Sequence, residues 1–299
     1  MTRAGFVAVI GRPNVGKSTL VNRMVGAKVT ITSSTPHTTR RAVRGILTDG
    51  DVQVIFVDTP GLHRPRTSLG HRLNEAARGA AGDVEVVMAL VDAGAPLGAG
   101  DRTALTTMLE AAERGARAFV VVNKSDRVAR GPVADQLVAV VRTVEDLARS
   151  RGRHEVAETV EYFAVSARGG AGVDVLLASL RAAMPESPFL FPADEVSDAT
   201  GPEWVAELVR EQLVRRTREE LPHSIHCRVR EYEWPHVVVE IVVERESQKG
   251  MVIGRGGAML KEVGTAARRE LPEGTFLELR VVVEPDWQRR SDALDRFGY

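Results

Sequence analysis

Gly11-Arg12-Pro13-Asn14-Val15-Gly16-Lys17-Ser18 follows an apolar run at 6–10 and opens a segment of helical spacing at 17–25. In the order strand, G-x-x-x-x-G-K-S, helix, backbone N–H groups can turn inward and hold phosphate oxygens at a helix N-terminus. In this reading 11–19, through Thr19, cradle the phosphates, Lys17 reaches the terminal ones, and the Ser18 hydroxyl ligates Mg²⁺. Asp58-Thr59-Pro60-Gly61 ends a later apolar run. Its Asp is placed to hold the same ion, and the Gly61 N–H to meet a γ-phosphate. Asn123-Lys124-Ser125-Asp126 ends another run. An Asp carboxylate there accepts two parallel hydrogen bonds from guanine N1–H and N2–H₂, a donor pair that adenine lacks. Sites built around one ligand's hydrogen bonds reject the analogue by about 10⁴–10⁵. Lys124 would lie along the base, and Asn123 would tie its loop to the phosphate loop. Ser166-Ala167-Arg168, after a further run, can supply a backbone N–H to guanine O6. Each string alone means little. Four in this order predict a site for GTP and GDP.

The elements that must carry these strings are legible in outline. Apolar runs at 6–10, 52–57, 84–91, 118–122 and 162–165 alternate with helical spacing at 17–25, 102–114 and 133–148. Near-continuous Val/Ile runs between helices indicate parallel strands covered on both faces. The exception is 43–48 and 52–57, separated only by Asp49-Gly50-Asp51. So short a turn makes a hairpin, so one edge strand should run antiparallel. The expected fold is a P-loop (Ras-like) α/β domain over 1–184.

Over 185–200, three prolines and four acids occur without Lys or Arg. This reads as an extended linker. Beyond it, 202–220 has helical spacing, 224–231 and 236–244 read as strands, 257–270 as a helix and 276–284 as a strand. Gly254-Arg255-Gly256-Gly257 lies between, preceded by Val252-Ile253 and followed by Leu260, Val263, Ala267 and Leu271 at helical spacing. That arrangement matches an α+β KH domain of the type with its extra helix first (type II) over 201–299. Its G-x-x-G loop clamps the backbone of single-stranded RNA. Lys249, Ile253, Gly254, Arg255, Gly256, Gly257 and Lys261 are the candidate RNA contacts. Trp204, Trp234 and Trp287 read as packing residues, and Cys227 as a buried strand residue.

The chain has 299 residues, with 40 Lys+Arg against 40 Asp+Glu. Zero net charge excludes a uniformly basic nucleic-acid coat, yet the balance is uneven. Residues 201–299 hold 16 basic and 18 acidic side chains, while 247–269 hold five basic ones against Glu262 alone. That basic stripe is where an RNA backbone would lie. One cysteine excludes an internal disulfide and favours a reducing compartment such as cytoplasm. No apolar run approaches the roughly 18–20 residues of a transmembrane helix, and the N-terminus lacks a secretory cleavage pattern.

The ordered nucleotide motifs resemble translation-factor-class GTPases, and within them the Era family of TrmE–Era-like GTPases. GRPNVGKSTLVN at 11–22, Thr38-Thr39-Arg40, DTPGLH at 58–63, GDVEV at 82–86 and the C-terminal segment carry the resemblance, which covers essentially the whole chain. It implies that a threonine of the first switch loop, Thr39 or else Thr38, meets Mg²⁺ and the γ-phosphate. His37 stands where such sequences often have Gln, and Leu62 where many GTPases carry a water-orienting Gln. Leu cannot orient water, so hydrolysis should be slow without help. Asn14 resembles the K⁺-ligating Asn of some related GTPases, and K⁺ would supply charge otherwise given by an arginine finger. The expected catalytic set is therefore Lys17, Thr39, Gly61 and Asn14, with Ser18, Thr39 and Asp58 on the metal. The resemblance further implies a monomer that binds the 3′ end region of 16S ribosomal RNA and assists maturation of the 30S subunit. Residence would be cytoplasmic or peripheral on the inner membrane face. A related GTPase with another RNA client, and an RNA-binding scaffold with little GTPase activity, are the alternatives.

Overall fold

The computed structural model describes all residues except Ser34, Pro36, His37 and 63–66. Two compact units divide it, one built mainly from Met1–Thr30, Thr39–Pro65 and Gly70–Asp198, the other from Ile31–Thr38 and Ala199–Tyr299.

In the first unit, β1 (Arg3–Gly11), α1 (Lys17–Val25), β2 (Val43–Asp49), β3 (Val52–Asp58), α2 (Ser68–Gly79), β4 (Val86–Asp92) and α3 (Ala99–Ala112) come first. They are followed by β5 (Arg117–Asn123), α4 (Arg130–Ser150), α5 (His154–Glu158), β6 (Glu161–Ala164) and α6 (Val173–Ala183). The sheet order is β2-β3-β1-β4-β5-β6, parallel except for β2, which pairs antiparallel with β3 at the edge. Alternation along each strand explains the two-sided core. Val7 and Val9, Met88 and Leu90, Phe119 and Val121 face Leu20, Met24, Leu176 and Leu180. Ala8 and Ile10, Val87 and Ala89, Val120 and Val122 face Leu105, Met108, Val140 and Val144. Each fully buried Val, Leu, Ile, Phe or Met among them contributes about 1.5–3 kcal/mol, so strands this apolar are stable only between two helical layers.

Residues 185–198, expected as linker, lie along the first unit. Val196 C=O accepts from Ile46 N–H at 2.9 Å, Ser197 bridges Gly45, and Asp198 pairs with Arg44 at 3.1 Å. Buried Gln53 accepts from Leu190 and Phe191 N–H at 2.8 and 3.0 Å and donates to Phe191 O at 2.9 Å. The stretch is extended because it covers the open β2 edge, whose backbone groups would otherwise lack partners.

The second unit contains α7 (Gly201–Arg216), α8 (Leu221–Ser224), β7 (His226–Glu233), β8 (His236–Val243), α9 (Glu246–Ile253), α10 (Ala258–Arg268), β9 (Phe276–Val283) and α11 (Ser291–Arg296). Its α7 starts at a capping box in which Thr200 Oγ1 donates to Glu203 Oε2 at 2.8 Å and Pro follows at the first turn. The sheet runs β7-β8-β9, antiparallel then parallel. One sheet face packs Val209, Leu213, Val239, Ile241, Val252 and Val263 into a core. Trp287 is fully buried and donates its indole N–H to Ser224 O at 3.0 Å. Trp234 corrects the sequence reading. It is 55% exposed, because Glu233 pairs with His236 and leaves Trp234 and Pro235 at the hairpin tip, where no layer covers them. No helix among the described residues is long and apolar enough to cross a membrane.

Candidate functional site

All the nucleotide motifs of the first unit fall at the C-terminal ends of parallel strands. Gly11, Asp58 and Asn123 end β1, β3 and β5, and Ser166 lies two residues past β6. With β1 between β3 and β4, the chain reverses its winding direction beside β1, the place where open α/β sheets leave a crevice.

After β1 the backbone must turn sharply inward. Asn14 and Gly16 have φ of 64° and 97°, and Gly16 caps α1 in left-handed geometry. A Cβ on Gly16 would stand 2.4 Å from Asn123 Nδ2, so no other residue fits there. Lys17 Nζ donates to the carbonyls of Gly11 and Arg12, both at 3.2 Å. Burial lowers the Lys17 pKa to about 8; the Asp58 charge pulls it back up and Arg12 adds to the lowering. Val15 is fully buried and anchors the loop in the core. The Arg12 guanidinium turns away to buried Asp101, with Nε to Oδ1 at 3.0 Å.

Three hydroxyls converge on one oxygen of Asp58. Ser18 Oγ donates to Oδ2 at 2.7 Å, Thr30 Oγ1 at 2.9 Å and Thr39 Oγ1 at 3.3 Å, while Ser18 and Thr39 stand 3.0 Å apart. Asp58 Oδ1 is buried and has no hydrogen-bond partner among the described residues. Burial raises the Asp58 pKa, against the Lys17 charge and the hydroxyl hydrogen bonds. One carboxylate and two hydroxyls form an all-oxygen set suited to a hard divalent ion such as Mg²⁺ that takes its other ligands from phosphate and water. Of the two candidate threonines, Thr39 reaches this cluster. Thr38 Oγ1 donates instead to Thr35 O at 2.8 Å. Thr59 is buried, its hydroxyl donating to Val9 O at 2.8 Å. Gly61 meets the phosphate loop so closely that a Cβ would stand 2.8 Å from Pro13 N. Leu62 is buried beside Ala77 and Ala104, and its N–H donates to Gly11 O at 3.1 Å. Its side chain is therefore a packing group. His37 and His63 lie outside the described residues.

At the base end, Asn123 Nδ2 donates to Val15 O at 2.8 Å, joining the two loops as expected, and its Oδ1 accepts from Ala167 N–H at 3.0 Å. Ser125 N–H donates to Val165 O at 3.1 Å. Ser166 Oγ donates to Asp126 Oδ1 at 2.6 Å and accepts from Gly169 N–H at 2.7 Å, bracing an exposed carboxylate. Arg23 holds the carbonyls of Ala167 and Arg168. Lys124, at φ 67°, donates to Asn14 O at 2.5 Å and Asp92 Oδ2 at 2.7 Å. Burial would raise the Asp92 pKa, but hydrogen bonds from Lys124 and Gly94 and the charges of Lys124 and Arg12 leave it lowered.

Thr30, Asp92 and Asp101 were not singled out from sequence. Asp92 carries a signal that could have found it, since it ends an apolar run as Asp58 does. Thr30 and Asp101 carry none, because their role depends on distant partners.

In the second unit, α9 ends at Gly254, whose φ of 74° and ψ of 171° suit glycine alone. A Cβ there would stand 2.8 Å from Met259 Cβ. Gly256 and Gly257 also have positive φ, and Gly257 caps α10. Val252 points into the core, Ile253 and Lys249 are half-buried, and Arg255, Gly256 and Lys261 are exposed. Arg255 thus lies in an exposed backbone turn, with Lys249 and Lys261 on the helices before and after it.

A phosphate loop, a hydroxyl–carboxylate cluster and a guanine-type N-K-x-D loop on this sheet define a Ras-like P-loop GTPase unit followed by a KH domain. The family description "50S ribosome-binding GTPase" matches residues 6–124, and "KH domain" matches residues 220–288. GTPase Era of Mycobacterium tuberculosis is 43% identical over 99% of this chain and 98% of its own, and that of Mycobacterium avium 42% identical over 99% of both. A crystal structure of Era in complex with MgGDPNP and nucleotides 1506–1542 of 16S ribosomal RNA superposes with a TM-score of 0.87 at 34% identity, covering 100% of this chain and 99% of that one. An Aquifex aeolicus Era variant bound to GDP·AlF₄⁻ gives the same values. The chain belongs to the Era family of GTPases.

Proposed function

We propose that this chain is a GTP-hydrolysing, RNA-binding switch that engages the 3′ end region of 16S ribosomal RNA and assists maturation of the small ribosomal subunit. The observation that carries the nucleotide half is the convergence of Ser18 and Thr39 on Asp58, whose second oxygen lacks a partner among the described residues, beside the phosphate loop. In this reading Ser18, Thr39 and Asp58 hold Mg²⁺, which shields the phosphate charge. Lys17 leaves the carbonyls of Gly11 and Arg12 for the β- and γ-phosphates, and the N–H groups of 14–19 cradle them. Gly61 N–H would meet the γ-phosphate. Asp126, braced by Ser166, accepts from guanine N1–H and N2–H₂ and rejects adenine through its unpaired carboxylate. Asn14 is the residue that would hold K⁺, and equal hydrolysis rates in Na⁺ and K⁺ would remove that ion from the scheme.

The RNA half rests on the 254–257 turn with Lys249, Arg255 and Lys261 around it, and on the 16S fragment held by the structural relative. Monomeric action, cytoplasmic residence and a peripheral place at the inner membrane face are proposed from the family resemblance alone. The test is crosslinking and sequencing of RNA bound by wild type and by Gly256→Asp, alongside phosphate release from GTP. The variant should lose the 16S 3′-end crosslinks while hydrolysing GTP at the wild-type basal rate. Equal crosslink yield would end the KH assignment, and absence of GTP turnover by wild type, with or without RNA, would end the enzymatic one.

A further inference from the structure

Thr30 and Thr39 both place hydroxyls on Asp58 Oδ2. Between them, the described residues Thr32 and Thr38 belong with the second unit. There α7 holds the main chain at both. Thr32 N–H donates to Glu211 Oε1 at 2.8 Å, and Arg215 Nη2 and Nε donate to Thr32 O at 3.2 and 3.3 Å. Arg215 also pairs with Glu211 at 2.9 Å. At the far end, Thr38 O accepts from Arg210 Nη2, and Glu207 grips the same guanidinium through Nε at 2.8 Å.

Arg210 and Glu211 are 1% and 0% exposed, adjacent in sequence and opposite in charge. Arg210 Nη1 has no hydrogen-bond partner among the described residues. Burying such groups is a poor way to stabilise a helix, because apolar residues of equal volume usually do as well or better. What the two charges share is the backbone of one loop. A carboxylate on a peptide N–H and a guanidinium on a peptide C=O are the stronger kind of hydrogen bond, and both depend on where that loop lies. Thr38, gripped by Arg210, is bonded directly to Thr39, which stands 3.0 Å from Ser18.

We propose that Arg210 and Glu211 are positioning residues of the nucleotide switch: they hold the main chain at Thr38 and Thr32 so that Thr39 is delivered to Ser18 and Asp58. This rests on the GTPase reading and deepens it by naming residues outside the nucleotide motifs that favour the triphosphate state. Linkage makes the effect reciprocal. Whatever the grip adds to triphosphate binding, triphosphate binding returns to α7. Helix α7 packs on α10, the helix that follows the 254–257 turn, so the returned order reaches the RNA-binding element.

The experiment compares the full-length wild type with Arg210→Met and Glu211→Gln, measuring affinities for fluorescent GDPNP and GDP in Mg²⁺. Arg210→Met should lower the ratio of GDPNP to GDP affinity by about tenfold, the scale of one hydrogen bond from a charged group. Glu211→Gln keeps an acceptor and should lower the ratio less. A wild-type ratio in folded Arg210→Met overturns the proposal. Should that variant fail to fold, hydrogen exchange on wild type decides: peptides covering 31–40 and 205–216 should both lose protection when GDP replaces GDPNP. Indifference of 205–216 to the nucleotide overturns the proposal. A wild type that binds neither nucleotide would instead overturn the GTPase reading on which it rests.

Discussion

Lys17 is buried among loop carbonyls with its pKa lowered to about 8. In the free protein its protonated fraction should fall from roughly three-quarters at pH 7.5 to about a quarter at pH 8.5. Phosphate oxygens entering the loop bring negative charge to the ammonium and raise its pKa, so binding restores the missing proton. GDP affinity should then fall about threefold across that range, about 0.7 kcal/mol. The window lies above the ionisation of the terminal phosphate and below that of guanine N1–H, so Lys17 dominates it. Titration calorimetry in buffers of differing ionisation heat gives both numbers. Proton uptake should approach about three-quarters of a proton per GDP at pH 8.5. Flat affinity with no buffer dependence would refute the reasoning, because a buried lysine of this pKa cannot bind phosphate without taking up a proton. Stability of the nucleotide-free protein moves the other way. The unfolded lysine titrates near 10.5 and holds more protons than the folded one between about 8 and 10.5. This group's contribution to stability therefore rises with pH in that window.

Gly61→Ala places a Cβ 2.8 Å from Pro13 N and must push the Asp58–Gly61 turn off the phosphate loop. Phosphate release should slow by about 10²-fold, the cost of roughly an ångström of misplacement, and an unchanged rate would show that the close approach is idle. Asn123→Ala leaves Val15 C=O and Ala167 N–H without their side-chain partner. It should cost about 2–4 kcal/mol in urea unfolding, and a loss under about 1 kcal/mol would mean that water replaces both bonds.

The candidate nucleotide site was legible because the chemistry its motifs offer is local. Phosphate cradling and guanine recognition are written in strings of three to eight residues, and apolar runs say that each string follows a strand. The hairpin at 43–57 was equally local, since a three-residue turn leaves no other geometry. Tertiary structure decided what depends on neighbours distant in sequence. Asp92 matters because β4 lies beside both β1 and β5, which brings Lys124 and Arg12 to it. Two adjacent threonines are indistinguishable as letters, yet the backbone turns one hydroxyl to Thr35 and the other to Asp58. The Pro-rich, acidic stretch read as an extended linker, and composition reports that extension but not the Gln53 side chain that pins it. Arg210 and Glu211 lie in a stretch of helical spacing, and nothing local in the sequence sets them apart from other helix charges. Both are buried, and they meet Thr38 O and Thr32 N–H, 172 and 179 residues away in the chain. Sequence by itself determined the chemistry each loop could perform, because that chemistry resides in contiguous backbone. Tertiary structure alone decided which side chains support the loops, because such support comes from packing between elements that no local pattern records.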